Sequence, residues 1–287
     1  MIQHGYKVWF NGAVVTETEA RVSASSRAAM YGDGCFETML ATSGKFVCWQ
    51  DHIDRLHAGM EYLGIQRNAS LESAALKKSV IRLLEINRLE SIDSRVRIQV
   101  WRSGISGMGD PLVHEATSHI SVKPAMTDRE PLRLIVAKTR RVPAAALDTR
   151  FKLSNYLNYI LAYREAIAED ADDALMLTVS GKVSESSVAN IFWLKNGVVY
   201  TPSLQCDPLH GITRMLTIRY LKSEGRDVVE GEFVPSDLEG ADAVWVCNSV
   251  RIWQPVKSIG KMEFAVSTAQ YRSIHDAFIS YIDSIKA

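Results

Sequence analysis

The sequence predicts an α+β protein of two domains, and three observations carry that expectation. Its 287 residues are more than one small core requires. Runs of strand-forming residues are joined by Asn-Gly and Ser-Gly turns, which make antiparallel neighbours of the strands they connect. Stretches of helical period fall between these hairpins without the regular alternation of a doubly wound parallel sheet.

Val8–Phe10, Asn11-Gly12 and Ala13–Val15 predict a first hairpin, because Asn-Gly supplies the two left-handed positions of a tight turn. Glu37–Ala41, Ser43-Gly44 and Lys45–Trp49 predict a second. From Gln50 the period changes, and Ile53, Leu56, Met60 and Leu63-Gly64 mark an amphipathic helix ended by glycine. A helix over Leu71–Glu85 and a strand over Arg95–Trp101 follow. Residues 104–130 read as a loop, a short strand and polar chain, so the expected division is a domain over 1–122, a linker over 123–130 and a domain over 131–287. The second domain begins with a strand over Leu132–Lys138 and a helix from about Ser154 to Glu169. Strands are expected over Ala174–Val179, Ser187–Leu194 and Val198–Thr201, with turns at Ser180-Gly181 and Asn196-Gly197. A helix over Thr213–Gly225 and strands near Val228–Phe233 and Ala243–Cys247 complete the reading.

Composition excludes several classes. Lys+Arg and Asp+Glu both number 33, so no net basic field draws the chain to nucleic acid. No apolar run reaches the ~20 residues of a membrane span, and MIQHGYKVWFNG has no signal-peptide core. Cys35, Cys48, Cys206 and Cys247 are too dispersed for a zinc site or a disulfide framework. Seven scattered histidines give metal binding little support. The expected compartment is the cytoplasm.

Four segments could carry chemistry. Lys152, in RFKLSNYLNYILAY, precedes Leu153, Tyr156, Leu157, Ile160 and Leu161 at helical spacing. An amine at such a junction is expected in apolar surroundings at the positive end of a helix, where its pKa falls; the alternative is a lysine snorkelling to water. His210-Gly211-Ile212-Thr213-Arg214 opens a helix and could present N–H groups to an anion, or be an ordinary helix cap. Glu185 lies in an apolar, hydroxyl-rich strand region, where a carboxylate needs a partner unless it sits at a wet edge. Arg55 could clamp a phosphate or be an exposed helical arginine. Around the Gly-Asp-Gly turn stand Asp33, Cys35 and Glu37, yet no base is indicated for Cys35. Neither a Gly-x-Ser-x-Gly elbow nor a dinucleotide fingerprint is present.

Taken in order, YGDGCFET (31–38), HIDRLHAGMEYLGI (52–65), KLSNYLNYILAYREA (152–166), DALMLTVSGKVSESSVANIFWLKNGVVYTP (173–202) and HGITRMLTIRYL (210–221) resemble the class IV pyridoxal-phosphate aminotransferase family. The resemblance implies a small N-terminal α/β domain, a larger barrel-like C-terminal domain and a homodimer acting on a small amino substrate. It implies pyridoxal 5'-phosphate as cofactor, with Lys152 as Schiff-base lysine and general base and Glu185 on the pyridine nitrogen. Arg55, Ile212 and Thr213 match the phosphate cup, Ser249 falls where the family usually has a phosphate-binding threonine, and Tyr156 matches a residue reaching the ring hydroxyl.

The substrate is read from other segments. Branched-chain transaminases tend to carry Tyr-x-Arg on the strand that here reads Arg95-Val96-Arg97. D-amino-acid transaminases carry an Arg-x-His shortly after it, and WRSGISGMGDP has none. YGDGCFET, VWRSG and VWVCNS look more like the third branch, the 4-amino-4-deoxychorismate lyases, whereas Glu37 is shared with transaminases. The expectation is the lyase, giving 4-aminobenzoate and pyruvate; the alternatives are an amino-acid transaminase and, from another class, an inactive binding protein of the same fold.

Overall fold

The computed structural model describes residues 5–104, 115–126 and 130–286. Residues 127–129 of the expected linker, and most of the segment compared for an Arg-x-His pair, lie outside them. The chain divides into two compact units, Met1–Thr127 with Phe151–Asn155 and Lys286–Ala287, and Asp128–Arg150 with Tyr156–Ile285.

The first unit contains β1 (Lys7–Phe10), β2 (Ala13–Thr16), α1 (Arg27–Tyr31), β3 (Gly34–Thr42), β4 (Lys45–Phe46), α2 (Trp49–Tyr62), α3 (Ser73–Ile86), β5 (Ser94–Arg102) and β6 (Ala116–Pro124). Its six strands run β2-β1-β6-β5-β3-β4, every pair antiparallel. The first hairpin turns at Asn11 and Gly12, both with positive φ as the Asn-Gly signal requires. Trp49 was expected in a strand and instead opens α2, because Cys48 takes a left-handed conformation that breaks the extended chain. Alternation along β5 sends Val96, Ile98 and Val100 into the core with Ile53 and Leu56 of α2 and Leu76 and Val80 of α3. Arg95, Arg97 and Gln99 therefore occupy the opposite face.

In the second unit are β7 (Leu132–Val136), α4 (Leu157–Ala168), β8 (Asp173–Leu177), β9 (Val183–Ser186), β10 (Asn190–Lys195), β11 (Val198–Pro202), α5 (Ile212–Ser223), β12 (Val228–Gly231), β13 (Ala243–Asn248), β14 (Ile252–Ile259), β15 (Met262–Glu263) and α6 (Ala269–Ser284). Its sheet runs β12-β11-β10-β13-β14-β7-β8-β9 with β15 on β14, and mixes antiparallel pairs with the parallel pairs β11/β12, β14/β7 and β7/β8. The sheet curls until β9 comes beside β10, giving a half-barrel. The strand expected over Ser187–Leu194 begins only at Asn190, and β9 before it was not expected, since the chain reverses between Ser186 and Asn190, closed by the Ser186 N–H donating to the Ala189 carbonyl. The helix expected from Ser154 starts at Leu157. Its large apolar side chains do not face a core: Ala162 and Ala166 are buried, whereas Leu157, Ile160, Leu161 and Ile167 are exposed.

The domain expectation placed Lys152 in the C-terminal part; the structure groups Phe151–Asn155 with the first unit. The cause is strand pairing. The Phe36 N–H donates to the Lys152 carbonyl at 2.9 Å, the Ser154 N–H to the Gly34 carbonyl at 2.8 Å, and Leu153 bridges Cys35.

Candidate active site

In the first unit the pairing of 151–155 with β3 determines where the lysine points. Leu153 is buried, and the two-residue period of extended chain sends Lys152 to the other side. Its Nζ stands 4.8 Å from the centroid of the Phe36 ring, the residue whose N–H holds its backbone. The same ring receives the Arg97 guanidinium at 3.8 Å, and Arg97 Nε donates to Gln99 at 3.1 Å. Gly34 permits this close layering, because a Cβ there would lie 2.4 Å from the Val100 carbonyl oxygen.

Behind the sheet, Arg55 of α2 makes a two-point ion pair with Glu37, Nε to Oε1 at 2.7 Å and Nη2 to Oε2 at 2.8 Å. His52, one turn earlier, places Nδ1 2.7 Å from Oε2. Burial would push the Glu37 carboxyl up, but the charges of Arg55 and His52 outweigh it and hold the group down to about 2. Asp33, between two glycines, receives both Arg27 and Arg102 on Oδ2, at 2.7 and 3.0 Å. Cys35 is no nucleophile, since burial and then the Glu37 charge raise its thiol far above the ordinary value.

The second unit holds the other predicted residues. Glu185 of β9 is buried, which removes the wet-edge alternative, and its two oxygens accept four hydrogen bonds. Arg141 Nε and the Tyr159 hydroxyl reach Oε1 at 3.0 and 2.8 Å; Asn190 Nδ2 and the Leu209 N–H reach Oε2 at 3.2 and 3.0 Å. Tyr156 is the N-cap of α4 and lies against Tyr159, ring centroids 4.6 Å apart. Ile212 and Thr213 are the first two residues of α5, and the Thr213 hydroxyl lies 3.2 Å from that of Ser249 in the turn after β13.

The donor chemistry of this unit fits pyridoxal phosphate. The N-cap of α5 is Gly211, which has no side chain to satisfy the first N–H groups, and two hydroxyls stand together at that helix start. A Cβ at Gly211 would fall 2.0 Å from Asn190 Oδ1, so the helix start and the groups around Glu185 share one tight space. The sequence reading missed Arg141, Tyr159 and Asn190. Tyr159 and Asn190 stand in the blocks 152–166 and 173–202, but no local pattern joins them to a carboxylate 26 and 5 residues away.

The chain belongs to the class IV amino-transferases, whose family model matches residues 34–259. It is 33% identical over 257 residues to a putative branched-chain-amino-acid aminotransferase of Methanocaldococcus jannaschii, 88% of each chain being covered. It is 29% identical over 261 residues to the aminodeoxychorismate lyase of Vibrio harveyi, covering 89% of this chain and 92% of the other. The T.th. branched-chain amino acid aminotransferase, solved with pyridoxamine 5'-phosphate, superposes with a TM-score of 0.88 at 25% identity, over 99% of this chain and 96% of that one. The protein is a pyridoxal-phosphate-dependent enzyme of class IV. Among the described residues no helix is long and apolar enough to cross a membrane.

Proposed function

We propose that this enzyme is a 4-amino-4-deoxychorismate lyase that carries its cofactor on Lys152. In this reading Glu185 faces the ring nitrogen and Tyr156 the ring hydroxyl, while Ile212, Thr213, Ser249 and Arg55 receive the phosphate. The observation that carries the lyase reading is the cationic face beside the lysine. Arg97 and Lys152 share the Phe36 ring, and Arg95 stands two residues along the same strand face. A substrate with two carboxylates suits that face, and 4-amino-4-deoxychorismate has two.

When bound, pyridoxal phosphate supplies an electron sink for charge developing next to the substrate amine. Lys152 Nζ removes the proton from the carbon bearing that amine. The ether bond to the enolpyruvyl group then breaks, the ring becomes aromatic, and the released enol takes up a proton as pyruvate. In a transaminase the same lysine would move that proton with no ether bond broken, and the amino group would pass from an amino acid to a keto-acid acceptor. That second reading has its own support in the 33% identity to a putative branched-chain-amino-acid aminotransferase.

A paired assay separates the two. Incubation with 4-amino-4-deoxychorismate is expected to release pyruvate and 4-aminobenzoate with no amine acceptor consumed. Efficient amino exchange between amino acids and keto acids, without pyruvate release, would overturn the lyase reading in favour of transamination. Lys152→Ala is expected to abolish the visible absorbance of the purified holoenzyme and both activities; a variant that keeps them would remove Lys152 from the site. We also propose a homodimer.

A further inference from the structure

The motif around Glu185 supplies a carboxylate, and the structure surrounds that carboxylate with donors the motif does not name. We propose that Arg141, with Tyr159 and Asn190, is a positioning residue that keeps Glu185 an unprotonated acceptor and so holds a proton on the cofactor ring nitrogen. The inference rests on Glu185 being the partner of that nitrogen, as proposed above.

The geometry carries it in three steps. A carboxylate has about four lone-pair sites, and this chain's own groups donate two hydrogen bonds to each oxygen of Glu185, so a ring nitrogen bonds Glu185 by taking the place of one donor while the others hold the carboxylate charged. Arg141 is the cation among them, itself buried, and its guanidinium also lies 4.5 Å from the centroid of the Tyr159 ring. Burial, then the charge of Glu185, raises the Tyr159 phenol well above its ordinary value, so its hydroxyl stays a donor to Oε1. A proton arriving on Oε1 would displace one donor and stand against a guanidinium 3.0 Å away. A proton shared between the carboxylate and an aromatic nitrogen is therefore driven to the nitrogen.

The backbone explains why this arrangement is rigid. The Arg141 N–H donates to the Leu177 carbonyl at 2.8 Å, tying residue 141 to the end of β8, the strand that pairs with β9. Asn190 bonds Glu185 and also the Leu209 carbonyl at 3.0 Å, while the Leu209 N–H bonds Glu185. The carboxylate is thus fixed from four separate stretches of chain, and its torsion cannot change without breaking two bonds at once.

The test uses holoenzyme reconstituted with pyridoxal phosphate labelled with nitrogen-15 in the ring, read by its chemical shift at one neutral pH. Wild-type protein is expected to give a protonated ring nitrogen. Arg141→Met is expected to move the signal toward the neutral pyridine position. Arg141→Lys, which keeps the charge, should restore most of the shift, and Tyr159→Phe should move it in the same direction as Met but by less. Glu185→Gln is the reference, expected to lose the protonated signal. An Arg141→Met signal identical to wild type overturns the inference, provided Glu185→Gln has moved. If Glu185→Gln leaves the signal in place, it is the assignment of Glu185 that fails. Should Arg141→Met not fold, an unmoved Tyr159→Phe signal overturns the inference instead.

Discussion

The Glu37 carboxylate lies wholly buried between His52 Nδ1 and the two nitrogens of Arg55. Removing its charge leaves a guanidinium in a space built for an ion pair, so Glu37→Gln is expected to cost about 3 kcal/mol of unfolding free energy. A carboxyl held below its ordinary value gives stability that is complete above that value and lost as pH falls through the lowered one. For Glu37 the window runs from 4.5 down to about 2. Urea unfolding of wild type should therefore weaken more steeply than that of Glu37→Gln between neutral pH and about pH 3; parallel curves would show that the pair contributes no pH dependence. Asp173 behaves in the opposite sense. Burial raises its carboxyl despite hydrogen bonds from Ser187 and the Ala174 N–H to Oδ1, and Oδ2 has no hydrogen-bond partner among the described residues. A raised acid is stabilised in its neutral form, so its cost to the fold appears as pH rises through the ordinary value of 3.8. Asp173→Asn is expected to melt higher than wild type at pH 7, with the gain disappearing in acid; a lower melting temperature at neutral pH would contradict this account.

Helix α5 and the turn before it show how an element can serve a site without contributing a charged group. Gly211 has φ −65°, a conformation open to any residue, so its need for glycine is one of space alone. The missing Cβ leaves room for Asn190 Oδ1, and Gly211→Ala is expected to displace Asn190 from Glu185 at a cost of about 1–3 kcal/mol. The expected measurements are a lower melting temperature and faster loss of cofactor during gel filtration; unchanged retention would mean that the helix start tolerates the methyl. The elements that the sequence made legible were those with local punctuation. Asn11-Gly12, Asn196-Gly197 and the glycines at 64 and 225 mark turns or helix ends because positive φ is a property of single positions. Strand β14 and helix α6 are absent from the sequence reading, although Gly260, with positive φ, follows β14 and the Thr268 side chain caps α6. α6 gains its order from packing, with Tyr271 and Phe278 against Trp253, a contact between residues that no local period links. The same limit hid Arg141, which lies 44 residues from the carboxylate it bonds. Lys152, Glu185, Ile212 and Thr213 stand out as candidates only as a set of ordered blocks, since each segment alone is also what an ordinary junction, strand or helix cap looks like.

At the scale of the whole molecule, the surface of α4 calls for an explanation. Leu157, Ile160, Leu161 and Ile167 are all exposed, Leu157 at 65%, and their spacing of three, four and ten residues keeps them near one face. The opposite face buries only Ala162 and Ala166, so most of the apolar area of the helix is left in water by a single chain. Each such side chain transferred from water contributes about 1.5–3 kcal/mol, and a row of four is a large stabilisation to leave unused. A second copy of this chain is the occupant that the proposed homodimer supplies, presenting the same row to its partner as two-fold symmetry requires. Sedimentation equilibrium is expected to give twice the chain mass of 32.0 kDa. Ile160→Glu would set a charge in the row; its side chain is exposed in the single chain, so the fold itself has no reason to fail, whereas burial against a partner would leave the carboxylate unpaired. The variant should therefore sediment as a monomer with an unchanged circular-dichroism spectrum, and a variant that remains dimeric would show that α4 is not the surface joining the two copies.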